Sequence, residues 1–297
     1  MKNLACFLCI QLTVSLACSI SSAPSQGKEP GISTIVAETM QAIPTEQPIL
    51  PPPVQPTGEV PTLNGTEIIT DNIYLVIPSD IAAGATVIDI APLNDPDLPP
   101  WDITPGHVEL TFNSYALQNR FHEPKIYIFP APEYAALLPG AAQNILLLQD
   151  VLSNPAQLLG ANNMPSIPFF NAGAVFIARD NIIHFQNGSG VVMLTQYAQS
   201  FAQVNNQEMF YHFQGLTSDG QYYLIAILPI SAPILAENWE ATAPPDGVPF
   251  PGYADPDVDF QTYYDQVIAK LNTLPEDTFN PSITKLDTLI GSIQISP

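Results

Sequence analysis

Residues 208–228 read EMFYHFQGLTSDGQYYLIAIL. Two apolar, aromatic-rich runs, Glu208–Leu216 and Gln221–Leu228, flank the turn-forming residues Thr217-Ser218-Asp219-Gly220. Such runs, separated by such a cluster, specify a β-hairpin. The pattern extends upstream into a meander over 171–230. Val175–Ala178 and Ile182–Phe185 flank a polar turn at Arg179-Asp180-Asn181. Asn187-Gly188-Ser189-Gly190 reads as the next turn, and Val191–Tyr197 alternates again. Further back, Ile68–Ile77, Val87–Ala91 and Lys125–Phe129 are β-like. His107–Phe112 alternates strictly, with Val108, Leu110 and Phe112 on one face and His107, Glu109 and Thr111 on the other.

Helices punctuate these strands. Ala142, Ile145, Leu148 and Leu152 repeat at helical spacing within 132–152. Asn154-Pro155 ends that segment, and Pro139 splits off its first turn. After a Pro- and Asp-rich loop at 231–258, Phe260, Tyr263, Tyr264, Val267, Leu271 and Leu274 form the stripe of a helix over 259–274. A second helix is expected from Asn280-Pro281, as cap and first helical position, followed by a last strand at 292–295. The expected fold class is α+β: one domain over 65–297, a mainly antiparallel sheet with helices packed on it.

Of the 297 residues only 12% are charged, about half the usual share of roughly 25%. Seven Lys and Arg stand against 28 Asp and Glu, a formal charge of −21. The imbalance reflects scarce bases rather than abundant acids. Nucleic-acid binding and docking of the domain on anionic lipid through a basic face are both disfavoured, because each needs basic patches.

The N-terminus reads MKNLACFLCIQLTVSLA, with Lys2 ahead of an apolar stretch too short to span a bilayer. Cys6, Cys9 and Cys18 are the only cysteines. Ser15-Leu16-Ala17-Cys18-Ser19 resembles the signal of bacterial lipoproteins, in which a small residue precedes the lipid-bearing Cys. That resemblance implies cleavage after residue 17, lipid on Cys18, and a mature chain without another thiol or any disulfide. Residues 18–64 would then be a disordered tether. Pro44, Pro48, Pro51, Pro52, Pro53, Pro56 and Pro61 favour extended polyproline II there, giving a reach of up to ~100 Å, while 31–42 is able to form a short helical turn.

Few residues carry recognisable chemistry. The histidines 107, 122, 184 and 212 show no paired metal-ligand spacing. His107 and Glu109 share one strand face, and His212 and Gln214 another. They would build a polar ligand site if those strands were neighbours, and a solvated sheet face otherwise. Ser189 lacks the G-x-S-x-G setting of a hydrolase nucleophile. Asp255, Asp257 and Asp259 match the opening of an EF-hand calcium loop, but Phe260 and Gln266 stand where Gly and Glu are needed. A solvated loop whose Asp259 caps the following helix is the other reading. Tyr197, Phe210, Tyr211, Phe213, Tyr222 and Tyr223 are expected mainly in the core, with an exposed platform for a glycan or peptide as the alternative.

Two further likenesses rest on motifs. The run Asn187-Gly188 to Gln199, with Phe210 to Tyr223, resembles envelope lipoproteins of unknown function from Chloroflexota-type bacteria, and implies no known activity. Leu286-Asp287-x-Leu289-Ile290-x-Ser292-Ile293 is similar to the final helix and strand of PsbP/Mog1-like domains, which implies an antiparallel sheet with flanking helices. The expectation from sequence is thus a lipid-anchored, extracytoplasmic protein of the bacterial cell envelope. It would meet the membrane through Cys18 and bind a small molecule, glycan or protein, with Ca²⁺ as the one cofactor considered. The alternative is an exported hydrolase using His and carboxylate groups on the sheet.

Overall fold

A computed structural model describes residues 64–155, 164–254 and 257–296. The expected signal segment, the lipid-bearing role of Cys18, the expected tether and the helical turn expected at 31–42 fall on residues outside the described ones. Glu59–Pro297 form one compact unit. In chain order it holds β1 (Gly65–Ile69), β2 (Ile73–Pro78), β3 (Gly84–Ile90), β4 (His107–Asn113) and β5 (Lys125–Pro130). Then come α1 (Ala131–Leu137), α2 (Pro139–Ser153), β6 (Gly173–Phe185), β7 (Gly188–Ala198), β8 (Phe210–Thr217) and β9 (Tyr222–Pro229). The chain ends with α3 (Phe260–Thr273), α4 (Ile283–Gly291) and β10 (Gln294–Ile295). The α+β class read from the sequence is what the structure shows.

Seven strands form one antiparallel sheet in the order β3-β4-β5-β9-β8-β7-β6; β1, β2 and β10 form a second, smaller one. From β5 at the middle the chain crosses one face through α1 and α2 to the far edge at β6. It returns by the meander β7, β8, β9, until β9 pairs with β5. The hairpin β8–β9 therefore lies at the centre. Every residue of β8 is buried, and all of β9 but Tyr222. On one face Tyr211, Phe213, Leu224, Ala226 and Leu228 pack with α3, α4 and the small sheet. On the other, Phe210, Tyr223, Ile225 and Ile227 pack with α1 and α2.

The turn chemistry of this hairpin is local. Thr217 Oγ1 donates to Asp219 Oδ1 at 2.6 Å, the Gln221 amide donates to the same carboxylate at 3.0 Å, and Gly220 takes φ +71°. The small sheet is closed non-locally. Ile295 pairs with Ile73, and Ser292 Oγ accepts from the Val76 amide at 2.9 Å across 216 residues of chain.

Three local expectations are corrected. Arg179-Asp180-Asn181 is not a turn: β6 runs through it with a bulge between Ala178 and Asn181, and Arg179 takes φ +55°. The Arg179 guanidinium donates to the carbonyls of Asn272 (3.1 Å) and Leu274 (2.9 Å), capping the C-terminal end of α3. The cap of α4 is Ser282, accepting from the Lys285 amide, rather than Asn280. The turn expected at 187–190 is shorter and lies at Gln186-Asn187; Gly188 opens β7, paired with Phe185, and Gly190 stands inside that strand. Gly190 lies opposite Gly215, and the Phe213 ring rests on the pair. A Cβ at Gly190 would collide with the Gln214 carbonyl and come within 2.5 Å of that ring. Gly190→Ala should therefore cost about 1–3 kcal/mol through overpacking, read as a lower urea midpoint at unchanged m-value.

Candidate functional site

A strand buried on both faces has no water for its polar side chains, so they must find partners inside the protein. His212 and Gln214, on the α2 side of β8, are both fully buried. Gln214 Oε1 accepts from the Tyr223 hydroxyl and from the Ile167 amide at 3.3 Å. Two donors at that oxygen turn the amide NH2 toward His212, whose Nε2 lies 2.9 Å away. Nε2 also lies 3.4 Å from the Ile167 carbonyl; the shorter contact to the Gln214 amide assigns it as an acceptor and leaves the ring proton on Nδ1, which has no partner among the described residues. Burial pushes the His212 pKa down to about 3, and that of His122, packed edge-on against Phe210, down to about 4. Both rings are neutral at pH 7. With its basic nitrogen engaged and no access to solvent, His212 is a structural hub, not a base presented to a substrate.

Beside this network a cleft of about 390 Å³ opens between α2, the segment 164–166 and the strands β6 and β7. Met193, the cross-strand neighbour of His212, and Tyr197 form its sheet wall; Gln143, Asn144 and Leu147 of α2 face them. Asn144 holds the rim in place: Nδ2 donates to the Gly140 carbonyl at 2.9 Å, and Oδ1 accepts from the Ser166 amide at 2.7 Å. Ser166 Oγ and the Tyr197 hydroxyl lie 3.0 Å apart, and burial pushes the tyrosine pKa up to about 12. No lining residue is charged at neutral pH. The volume is at the small end of the range for ligand pockets.

The histidine pairs singled out in the sequence share one sheet face but do not meet. β5 and β9 stand between β4 and β8, about 14 Å at ordinary strand spacing. Neither pair lies on a solvated face. His107 is buried, stacked on Phe129 at 4.4 Å, with Nδ1 2.9 Å from the Pro105 carbonyl and Nε2 3.5 Å from Glu109. Glu109 also pairs with Lys125 at 3.2 Å.

The acidic loop is not drawn together into a cage by the residues that are described. Asp259 caps α3, accepting from the amides of Gln261 (3.0 Å) and Thr262 (3.2 Å). Asp257 is exposed, and Asp255 lies outside the described residues. Among the described residues no three His, Cys, Asp or Glu are grouped to hold a metal ion. The meander aromatics are buried except for Tyr222, which is half-buried. An exposed aromatic group is found elsewhere, where Phe201 stacks on Phe260 at 4.5 Å beside Tyr253.

The two depressed histidines make stability depend on pH with a definite sign. Below about 6.5 the unfolded chain binds protons that the folded one refuses, so stability falls as pH drops from there toward 4. Each ring contributes at most about 1.4 kcal/mol per pH unit. The raised carboxyls of Asp287 and Glu208, both desolvated, act with opposite sign at the acid end. His212→Gln keeps an acceptor for Gln214 and removes the titration. Urea denaturation between pH 8 and 5 should show a flatter acid slope for this variant, by up to one proton.

No protein-family model matches the chain, and no curated protein matches its sequence.

Proposed function

We propose that this protein is a lipid-anchored, extracytoplasmic binding protein of the bacterial envelope, and that its domain takes an uncharged, hydrogen-bonding small molecule. The observation that carries the reading is the cleft beside β7. Its walls mix apolar side chains with the amides of Gln143 and Asn144 and the paired hydroxyls of Ser166 and Tyr197, with no charge among them. An ionised ligand would lose its hydration there without a counter-charge, whereas a neutral one exchanges water hydrogen bonds for protein ones. The anchor rests on Ser15-Leu16-Ala17-Cys18-Ser19 and on the absence of other thiols after residue 18. Among the described residues no helix is long and apolar enough to cross a membrane. The hydrolase alternative loses its support where His212 is engaged by Gln214 and His107 is turned toward Glu109.

Methionine methyl NMR tests the cleft directly, because Met164 and Met193 line it while Met209 lies in the opposite core. In the chain from residue 18 with Cys18→Ser, glucose or N-acetylglucosamine should shift the first two methyls and leave the third in place. Glucose 6-phosphate should not shift them. Tyr197→Phe should weaken the response roughly fivefold, the worth of one hydrogen bond of about 1 kcal/mol. Met164 and Met193 signals that ignore every neutral probe would remove the reading. Radiolabelled palmitate should appear on the expressed chain and be lost in Cys18→Ser.

A further inference from the structure

The two sheets part at one end. There Ile73 and Ile295, paired on β2 and β10, overhang Val108 and Ile128 of the large sheet, leaving a second cleft of about 350 Å³. Its floor and roof are almost wholly apolar. One lining residue is an acid: Asp89, directly opposite Val108 on the neighbouring strand and therefore on the same, cleft-side face. Asp89 has no ion pair among the described residues.

No cation of the domain is free to answer that carboxylate. Arg120 pairs with Glu237, Lys125 with Glu109 and Glu123, Lys285 with Asp80; Arg179 caps α3, and Lys270 donates to the Asp246 carbonyl. These are all the Lys and Arg after residue 28. In a chain of formal charge −21, the field at this mouth attracts cations and repels anions. The imidazole of His107, at the inner wall, is held by Pro105 and Phe129 and does not turn toward Asp89.

We propose that this cleft binds a hydrophobic monocation, an alkylammonium whose chain lies on Ile73, Val108, Ile128 and Ile295 and whose ammonium meets Asp89. The site is independent of the uncharged cleft beside β7, from which the whole large sheet separates it. The apolar walls supply the burial, and the single carboxylate selects the sign of the head group.

Three probes of equal chain length test this on the full mature chain with Cys18→Ser and labelled isoleucine methyls: hexylammonium, 1-hexanol and hexanoate. The methyls of Ile73, Ile128 and Ile295 should report hexylammonium binding at least fivefold tighter than 1-hexanol, with hexanoate weakest. The preference should shrink in 1 M NaCl, where the screening length is about 3 Å. Asp89→Asn, at an exposed position, should keep the fold and bring hexylammonium and hexanol to equal affinity. Equal affinity in the unaltered protein would reduce the cleft to an apolar slot. A preference that survives Asp89→Asn would assign it to the protein's overall charge, and silent isoleucine methyls would exclude the site; each result overturns the proposal. The Met164 and Met193 methyls should stay unmoved throughout, which keeps this outcome separate from that of the other cleft.

Discussion

The two-sided burial of β8 and β9 is the constraint on which the rest of the domain depends. A central hairpin with no wet face needs apolar cover above and below, and the chain supplies it from different stretches. The crossover through α1 and α2 covers one side; α3, α4 and the small sheet cover the other. The same dryness forces the His212–Gln214–Tyr223 network to close on itself and on the Ile167 backbone. That contact draws the 164–170 segment down over the sheet, and the uncharged cleft is the space left between this segment, α2 and β7. Core chemistry and candidate site are thus one arrangement seen from inside and outside.

Scarcity of positive charge shapes the periphery in a comparable way. Five cations serve the domain, and three tie parts distant in sequence: Arg179 joins a strand bulge to the end of α3, Lys285 joins α4 to the β2–β3 connection, and Arg120 reaches Glu237. Exposed pairs of this kind add little stability singly. Their larger consequence is that many carboxylates stay unmatched, so what approaches the surface is selected by charge before any contact is made.

Much of the architecture was legible in the sequence where the determinant is local. The Thr217–Gly220 turn, the alternation of His107–Phe112, the break at Pro139 and the stripe of α3 all lie within a few residues of the structure they specify. The misreadings have distant causes. Arg179-Asp180-Asn181 has the composition of a turn, yet its backbone amide donates to Asn272 Oδ1 near the end of α3, 93 residues away. Gly190 resembles a turn glycine, but what requires it is the Phe213 ring on the next strand. Strand order was not legible either: nothing in 107–109 or 212–214 says that β5 and β9 intervene. The cleft was missed for the same reason, since Ser166 and Tyr197 meet only after the crossover has been made.

The hydrogen bond between Val76 and Ser292 ties two ends of the domain across 216 residues. Loop closure over such a span comes late, after the nearer strand pairs have formed. On a chain that folds as it grows from its N-terminus, β2 would therefore wait, the edge that later takes β10 open, until residues 294–295 had arrived. During that interval the newly arrived chain would present an unpaired strand edge to its neighbours, and the time spent in that state, more than the stability of the finished fold, would govern how much of it escapes aggregation.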